Sequence, residues 1–510
     1  MARRIIRWRY LALALALGAS LVGVTSSAAA TGPSLVISAS PALFPAFRPL
    51  SLDYVVRCTA SPVTVSVTAP LGTTISVDDQ PSGTGQFSTS VTLAPGQEFS
   101  IVSTMGQHTR TYFVRCLPTN FPRFKLLAKT STTAPQAQWY VVTPLTPGLV
   151  TGAPPGQQYL IFLNKAGAPV YWLPTTETAP NGSVITSDFG TYLGNGDVAW
   201  THHPNWPGEE RNLDGGLVRW IGAGGTGQID LHDLVLLPDS DYLVGILTQR
   251  KGVDLSSWGG TATTLTSTTI LDQVIEEITP TGSVVWSWDA AAHIAPSETG
   301  ADWRSQILAK GPPYDIYHWN SAVLDTTSQA DGASVVASFR HLDAVYKFQI
   351  STGNVLWKLG GTQRPGLSLT VLNDPVFAAG GDFSGQHDAQ VLPDGSVTVH
   401  DNGTNGSRPA RAVHYAIDEG AKTATLLSSV TDPTGVTSAC CGSARLLPGG
   451  DWVASWGYTP IVTELDATGK RVFGITFTTP GQYSFRAIPV LPGVVSAASL
   501  RAAMDVQYPR

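Results

Sequence analysis

The sequence predicts an all-β protein: a small N-terminal β-sandwich followed by a six-bladed β-propeller. Two features of the composition support this, because 51 of the 510 residues are Gly and 36 are Pro, while only 13% are charged. A third is the recurrence of alternating apolar and polar runs between turns, which is typical of many short strands. The hydrophobic fraction of 43% argues against a disordered chain.

The first 30 residues (1–30) predict a cleaved signal peptide. A basic start with Arg3, Arg4, Arg7 and Arg9 precedes the apolar run LALALALGASLVGV, and SSAAA supplies small residues for cleavage. The apolar run is shorter than a membrane span, so a membrane anchor is the less favoured alternative. The chain is therefore predicted to be secreted or extracytoplasmic, by the general (Sec) or the twin-arginine (Tat) route. Its net charge of −6 offers no basic field for nucleic acid.

Residues 31–117 predict the N-terminal β-sandwich. Runs such as PVTVSVTAP and FSTSVTLAPGQEFSIV alternate apolar and polar residues and are separated by Gly and Pro turns. Residues 118–135 predict a linker to the propeller. Cys58 and Cys116 bracket the strand-rich segment, and in an exported chain they predict a disulfide.

Cys440 and Cys441 are neighbours in the sequence. Adjacent Cα atoms lie about 3.8 Å apart, which is below the usual disulfide range, so a bond between them would close an eight-membered ring. Two unpaired buried thiols are the alternative. An oxidising compartment favours the vicinal disulfide.

Residues 136–510 contain a repeated unit that predicts the propeller. Six times an apolar or aromatic run meets a turn and a second such run, and the copies begin at Gln158, Leu217, Val274, Ala344, Val413 and Ile461. Ahead of the middle copies stands a further strand-turn unit that ends in Pro-Asp-Gly or a related turn. Four strands per unit and six units predict six blades, the closing one combining the first copy with C-terminal strands such as YSFRAIPVL.

Three histidines occupy one position of this repeat. LHDLVLLPD and QHDAQVLPD place His232 and His387 six residues before a proline, and YHWNSAVLD aligns His318 six residues before Leu324. Equivalent positions in different blades converge at the axial channel. Each histidine could simply begin a strand, but the other blades lack one, and this favours a functional cluster.

The residues near these histidines favour an anion site over a metal site. Three histidines can form a zinc site, but Arg340 in SFRH would repel a cation. Asn320 lies two residues from His318 and so on the same face of its strand, whereas His341 should face away from Arg340. Imidazole, guanidinium and amide groups suit a tetrahedral anion such as sulfate or phosphate, and a histidine in such a site can be the nucleophile.

YHWNSAVLD, SFRH and FSGQHDAQVLPDG resemble, in order and spacing, the bacterial arylsulfotransferases. The resemblance implies an exported six-bladed propeller, a homodimer, and transfer of a sulfuryl group from an aryl sulfate to a phenolic acceptor without phosphoadenosine phosphosulfate or another cofactor. It implies a ping-pong route through a sulfohistidine at His387. By motif, His232, His318, Asn320 and Arg340 would bind the sulfuryl group, and which flanking histidine moves the phenol proton is left open.

Two other classes of function stay open at this point. The TGSVVW and TGNVLW hairpins and the vicinal cysteines resemble those of pyrroloquinoline-quinone dehydrogenases. Those propellers, however, repeat the tryptophan hairpin in most of eight blades and need a calcium site. A non-catalytic binding or adhesion propeller is the third alternative, since a fold alone does not establish catalysis.

Overall fold

The computed structural model describes residues 34–58, 62–145, 157–178, 184–203, 206–222, 227–259, 263–328, 332–406 and 408–510. The predicted signal peptide lies outside these residues. The described residues are mostly β, as predicted, and none of their helices is long and apolar enough to cross a membrane.

The N-terminal strands form two sheets. The strands are β1 (Val36–Ser40), β2 (Asp53–Arg57), β3 (Val63–Thr68), β4 (Thr73–Val77), β5 (Gly83–Thr84), β6 (Gln86–Val91), β7 (Glu98–Met105) and β8 (His108–Leu117). Their orders are β1-β3-β6 and β2-β8-β7-β4-β5, and the pair β2 and β8 is parallel. On β3, Val63, Val65 and Val67 are buried and alternate with outward residues, as the period of two requires. The predicted disulfide joins Cys58 to Cys116.

Most of the remaining strands belong to larger antiparallel sheets. In chain order the next are β9 (Phe124–Leu126), β10 (Trp139–Leu145), β11 (Tyr159–Asn164), β12 (Pro169–Pro174), β13 (Glu177–Thr178), β14 (Val184–Tyr192), β15 (Asp197–His203), β16 (Trp206–Asn212), β17 (Leu217–Ile221), β18 (Gln228–Leu236), β19 (Tyr242–Val253), β20 (Thr268–Ile278), β21 (Val284–Asp289) and β22 (Tyr314–Asp315). They are followed by β23 (Trp319–Asp325), β24 (Ser334–Phe339), β25 (Ala344–Gln349), β26 (Val355–Gly360), β27 (Thr370–Leu372), β28 (His387–Val391), β29 (Val397–Asp401), β30 (Arg411–Asp418), β31 (Thr423–Val430), β32 (Ser443–Leu446), β33 (Trp452–Ser455), β34 (Ile461–Leu465), β35 (Arg471–Phe477) and β36 (Tyr483–Val490).

Among the described residues these strands give six sheets, each built on four antiparallel strands. The sets are β14–β17, β18–β21, β23–β26, β28–β31, β32–β35, and β10–β12 together with β36. The C-terminal strand β36 thus completes the sheet of the first repeat copy, as predicted, with Trp139 opposite Val490. The predicted linker contains β9, which pairs with β35 along the edge of the last sheet.

One repeat copy was aligned wrongly. The copy that begins at Leu217 spans β17 and β18, which belong to different sheets, whereas the equivalent hairpin in that sheet is β16 with β17. β17 and β18 both contain apolar residues and are separated by a glycine-rich stretch, as the two strands of a hairpin would be. The sequence pattern alone therefore does not distinguish a hairpin from a connection between two sheets.

The helices are few and short. They are α1 (Ala290–His293), α2 (Ala301–Lys310), α3 (Pro375–Ala378) and α4 (Ala497–Gln507). Ser496 caps α4, because its side chain accepts a hydrogen bond from the Ser499 amide at 3.0 Å. Ion pairs from α4 reach the N-terminal sheets: Asp505 binds Arg115 at 2.8 Å, and Arg501 binds Asp53 at 2.5 Å.

A series of side-chain hydrogen bonds links one strand in each of five of these sheets, namely β18, β23, β28, β32 and β36. The amides of Ala322, Ala389, Ala444 and Ala487 donate to Asp233 Oδ2 (3.3 Å), Ser321 Oγ (3.0 Å), Asp388 Oδ2 (3.1 Å) and Ser443 Oγ (3.0 Å), respectively. The residues before these acceptors are therefore equivalent, namely His232, Asn320, His387 and Gly442. The alignment that placed His318 in this series was offset by two residues, since Asn320 holds that position.

A buried ion network lies at the centre of this series. Arg486 on β36 is 2% exposed; its Nη1 lies 2.9 Å from Asp233 Oδ1 and 3.5 Å from Asp388 Oδ1, and its Nη2 donates to the Asn320 carbonyl at 2.7 Å. Arg445 also binds Asp388, at 2.6 Å. The aspartate after each of the two aligned histidines thus ties its own strand to a neighbouring sheet.

We expect Arg486→Met to lower the free energy of unfolding by about 3–5 kcal/mol, because it leaves the buried Asp233 carboxylate without its ion-pair partner and removes one of the two partners of Asp388. Denaturant unfolding followed by tryptophan fluorescence measures this. The control is Arg510→Met, which breaks the more exposed ion pair with Asp78 and should cost at most about 1 kcal/mol. Equal effects of the two substitutions would contradict a structural role for the central network.

Candidate active site

His387 is the first residue of β28 and is 1% exposed. Its Nδ1 lies 2.8 Å from the Gly385 carbonyl and 2.9 Å from Asn402 Oδ1, and its Nε2 accepts a hydrogen bond from the Cys441 amide at 3.1 Å. Asn402 uses its own amide group to donate to the Cys441 carbonyl at 2.8 Å, so its oxygen faces the imidazole. The proton of neutral His387 therefore lies on Nδ1 and the lone pair on Nε2.

The pKa of His387 lies well below its ordinary value. Burial is the main cause, and the positive charges of Arg340 and His232 add to it. The imidazole is consequently neutral at physiological pH, and a neutral imidazole is the nucleophilic form.

His232 and His318 lie side by side, with ring centroids 4.8 Å apart. Asp230 binds Nδ1 of His232 at 2.5 Å and Asp315 binds Nδ1 of His318, which leaves the Nε2 atoms for a ligand. Burial opposes charge on His232, but Asp230, with Asp188 and Asp315, outweighs it and raises the pKa of His232. Burial, together with His232 and Arg340, holds the pKa of His318 well below its ordinary value. His232 therefore keeps its proton to a higher pH than His318.

Arg340 adds a cation to this cluster. Its guanidinium carbon lies 4.2 Å from the centre of the Trp303 ring, and its Nη2 donates to the Ala439 carbonyl at 2.9 Å. Burial lowers its pKa to about 10, so it stays charged at neutral pH. Its Nε is buried and finds no hydrogen-bond acceptor among the described residues. A bound anion would satisfy that donor.

The structure corrects the prediction that His341 faces away from the site. Its ring centroid lies 4.6 Å from that of His318, and its Nε2 accepts a hydrogen bond from Arg340 Nη1 at 2.9 Å. The strand β24 ends at Phe339, and residues Arg340–Leu342 form a 3₁₀ turn, where the alternation of a strand does not apply.

Asn320 is fully buried next to the nucleophile candidate. Its side-chain amide donates to the Gln386 carbonyl at 2.7 Å, and its own carbonyl accepts from Arg486. In this arrangement Asn320 contacts the backbone that precedes His387. Its Oδ1 has no hydrogen-bond donor among the described residues.

Asp315, His318 and His341 also bring potential metal ligands together, with ligand atoms within 4.8 Å of one another. Both nitrogens of His341 are already engaged, however, because Nε2 accepts from Arg340 and Nδ1 binds the Asp315 carbonyl, and His318 Nδ1 binds the Asp315 carboxylate. A guanidinium in contact with one of the ligands disfavours a divalent cation there and favours an anion.

Cys440 and Cys441 are joined by a disulfide, and the Cys441 amide contacts His387. Cys441 has φ +65° and the next residue, Gly442, has φ +104°. A Cβ on Gly442 would lie 2.5 Å from His400 Nε2, so the position requires glycine.

The structure thus brings four residues that the sequence singled out, His232, His318, Asn320 and Arg340, together around His387. Sequence reasoning missed Asp230 and Asp315, which orient two of the histidines; carboxylates two and three residues before a histidine were the available signal. It also missed Asn402, for which nothing in the local sequence gave a signal.

The cluster combines imidazole, guanidinium and amide groups, a combination that suits a tetrahedral anion. The family model of arylsulfotransferase (ASST) matches residues 175–478, more than half of the chain. The chain belongs to the arylsulfotransferase family and is an enzyme of the sulfotransferase type.

Comparison with curated proteins finds no match. Among solved structures, the chain is similar to a streptogramin B lyase (11% identity, TM-score 0.32, covering 74% of this chain and 87% of that one). It is also similar to the dihydro-heme d1 dehydrogenase NirN (11%, 0.32, 71% and 78%) and to hydrazine synthase of Kuenenia stuttgartiensis (10%, 0.29, 69% and 99%). At these TM-scores the similarities carry no argument about this chain.

We expect Gly442→Ala to destabilise the protein by about 3 kcal/mol. The cost has two causes, because alanine is unfavourable at positive φ and its Cβ would overpack against His400. The matched control is Gly469→Ala, also at positive φ (+79°) but with open space around the added Cβ, which should cost about 1 kcal/mol. Denaturant unfolding compares the two. Equal costs would show that the His400 contact is unimportant.

Proposed function

We propose that this protein is an exported arylsulfate sulfotransferase, independent of phosphoadenosine phosphosulfate, that moves a sulfuryl group from a phenolic sulfate ester to a phenolic acceptor. The observation that carries the proposal is the neutral, buried His387, whose Nε2 lone pair lies in a cluster of cationic and hydrogen-bonding groups. The proposal includes no cofactor and no metal. On the basis of the family resemblance, the proposal also includes a homodimeric state.

The architecture in this proposal is a six-bladed propeller after an N-terminal sandwich. Six four-stranded sheets among the described residues support six blades, and the two sheets of β1–β8 support the sandwich. We propose the division 31–117 for the sandwich, 118–135 for the linker and 136–510 for the catalytic propeller.

In the first half-reaction His387 Nε2 attacks the sulfur of the donor, the bond from sulfur to the aryl oxygen breaks, and the phenolate leaves. The product is a sulfohistidine with a formally positive imidazole. The Gly385 carbonyl and Asn402 Oδ1 accept from Nδ1–H and stabilise that charge. Arg340 binds a sulfuryl oxygen through its unpartnered Nε. The contact of His318 with the sulfuryl group stays a prediction.

His232 is the proposed general acid for the leaving phenolate. Its pKa is raised while those of His318 and His387 are lowered, so it is the ring that carries a proton to give. In the second half-reaction neutral His232 takes the proton of the acceptor phenol, whose oxygen attacks the sulfur and releases His387. Asn320 holds the Gln386 carbonyl beside the nucleophile, and its predicted contact with the sulfuryl group stays a prediction.

We expect p-nitrophenyl sulfate to add one sulfuryl group to the peptide that contains His387, detected by mass spectrometry at neutral to alkaline pH. An acceptor phenol should remove it and yield the aryl sulfate of that phenol. His387→Ala should abolish both steps, whereas His414→Ala, at a histidine in β30 bound to Ser396, should leave them intact. Label on another residue, or turnover that survives His387→Ala, would contradict the mechanism.

The dependence of the rate on pH tests the assignment of His232 as the general acid. The rate of the first half-reaction should persist at pH ~6.5 and somewhat below it, because the lowered pKa keeps His387 neutral there. It should fall only at a pH above the ordinary histidine pKa, where His232, whose pKa is raised, loses its proton. His232→Gln should remove the alkaline limb. It should slow phenyl sulfate by about 10²–10⁴-fold and p-nitrophenyl sulfate far less, since a good leaving group needs little protonation. Equal losses for both donors would exclude His232 as the acid.

A further inference from the structure

The Cys440–Cys441 disulfide lies beside His387 but has no role in the proposed sulfuryl transfer. The four backbone carbonyls from Ser438 to Cys441 all accept hydrogen bonds, the first of them from Thr404 at 3.0 Å. Arg340 binds the Ala439 carbonyl, the Tyr458 amide binds the Cys440 carbonyl at 2.9 Å, and Asn402 binds the Cys441 carbonyl. The one amide of the pair that turns toward the reacting atom is that of Cys441, 3.1 Å from His387 Nε2.

The backbone at Cys441 adopts a conformation that residues other than glycine rarely adopt, with φ +65°. Such a conformation persists only where the surroundings enforce it. The disulfide closes a ring through the Cys440–Cys441 peptide bond and so restricts both residues, while Asn402 holds the carbonyl of the same residue. The ring and Asn402 together keep the Cys441 amide directed at the imidazole.

We propose that the backbone N–H of Cys441 is a further catalytic group. Its hydrogen bond shifts from His387 Nε2 to an oxygen of the arriving sulfuryl group, and the Cys440–Cys441 disulfide holds it in place. This inference rests on the proposed function. Transfer then depends on the redox state of the pair. A dithiol that supplies two electrons and two protons breaks the S–S bond, yields two thiols and is itself oxidised to a disulfide.

The position of the pair allows this exchange. Cys440 is half-buried and Ala439 beside it is exposed, whereas Cys441 is buried against Tyr483 and Phe485. A small dithiol can therefore reach the Cys440 sulfur from solvent. Once the ring is open, Cys441 is free to return to negative φ, and its N–H then leaves His387.

The test compares the rate of sulfohistidine formation from p-nitrophenyl sulfate before and after treatment with dithiothreitol. Alkylation of both thiols in the peptide that holds Cys440 and Cys441 confirms reduction. We expect the rate to fall about 100-fold, the effect of losing one preorganised donor, and to recover on reoxidation, which rules out unfolding as the cause. A Cys440→Ser, Cys441→Ser variant should be slow from the start and indifferent to the reductant.

Cys58→Ser combined with Cys116→Ser serves as the matched control, since it removes the other disulfide and should keep the full redox effect. A second readout is independent of turnover. In ¹⁵N-histidine-labelled protein, the His387 Nε2 resonance should move on reduction while Nδ1 keeps its proton, with the assignment made from His387→Gln.

The outcomes separate the two proposals. Unchanged turnover and an unmoved Nε2 resonance on confirmed reduction would overturn this inference and leave the sulfotransferase mechanism standing. Absence of turnover in both redox states would overturn the proposed function, and the catalytic role of the Cys441 amide with it. A redox effect that vanishes in the Cys58 and Cys116 variant would assign it to the N-terminal sheets and would also overturn the inference.

Discussion

The buried contact of Arg486 with Asp233 and Asp388 is the constraint on which the rest of the molecule depends. Removing these charges from water is unfavourable unless each finds partners, so the three strands that carry them must meet in one arrangement. The contact also explains the repeated His-Asp pair. In each pair the aspartate ties its strand to a neighbouring sheet, and the histidine before it is thereby placed in the site.

Burial, which costs solvation energy, also sets the protonation state of the site histidines. His387 is removed from water beside cationic groups, which keeps its imidazole neutral, and Asn402 keeps its proton on Nδ1. His232 experiences similar burial, but Asp230, with Asp188 and Asp315, outweighs it and raises the pKa of His232. Nearby carboxylates thus distinguish a proposed acid from a proposed nucleophile, both of them imidazoles.

Much of the fold was predictable because its signals are local. Alternating runs and turn residues predicted the strands, and the C-terminal strand β36 joined the first repeat copy as expected. The errors arose where the chain leaves ideal strand geometry. His341 lies in a 3₁₀ turn rather than a strand, and Asn320 rather than His318 holds the position equivalent to His387. His318, at φ +54°, reaches the cluster from two residues earlier.

The sequence by itself determined the β class, the repeat, the Cys58–Cys116 disulfide and the motifs of the arylsulfotransferase family, since each depends on residue type and spacing. Only the tertiary structure decided which atoms face one another. Asn402 and the Cys441 amide reach His387 from 15 and 54 residues away in sequence, through single hydrogen bonds that leave no periodic pattern. Hydrogen bonding and burial depend on neighbours in space, and these decide which nitrogen of His387 carries the lone pair.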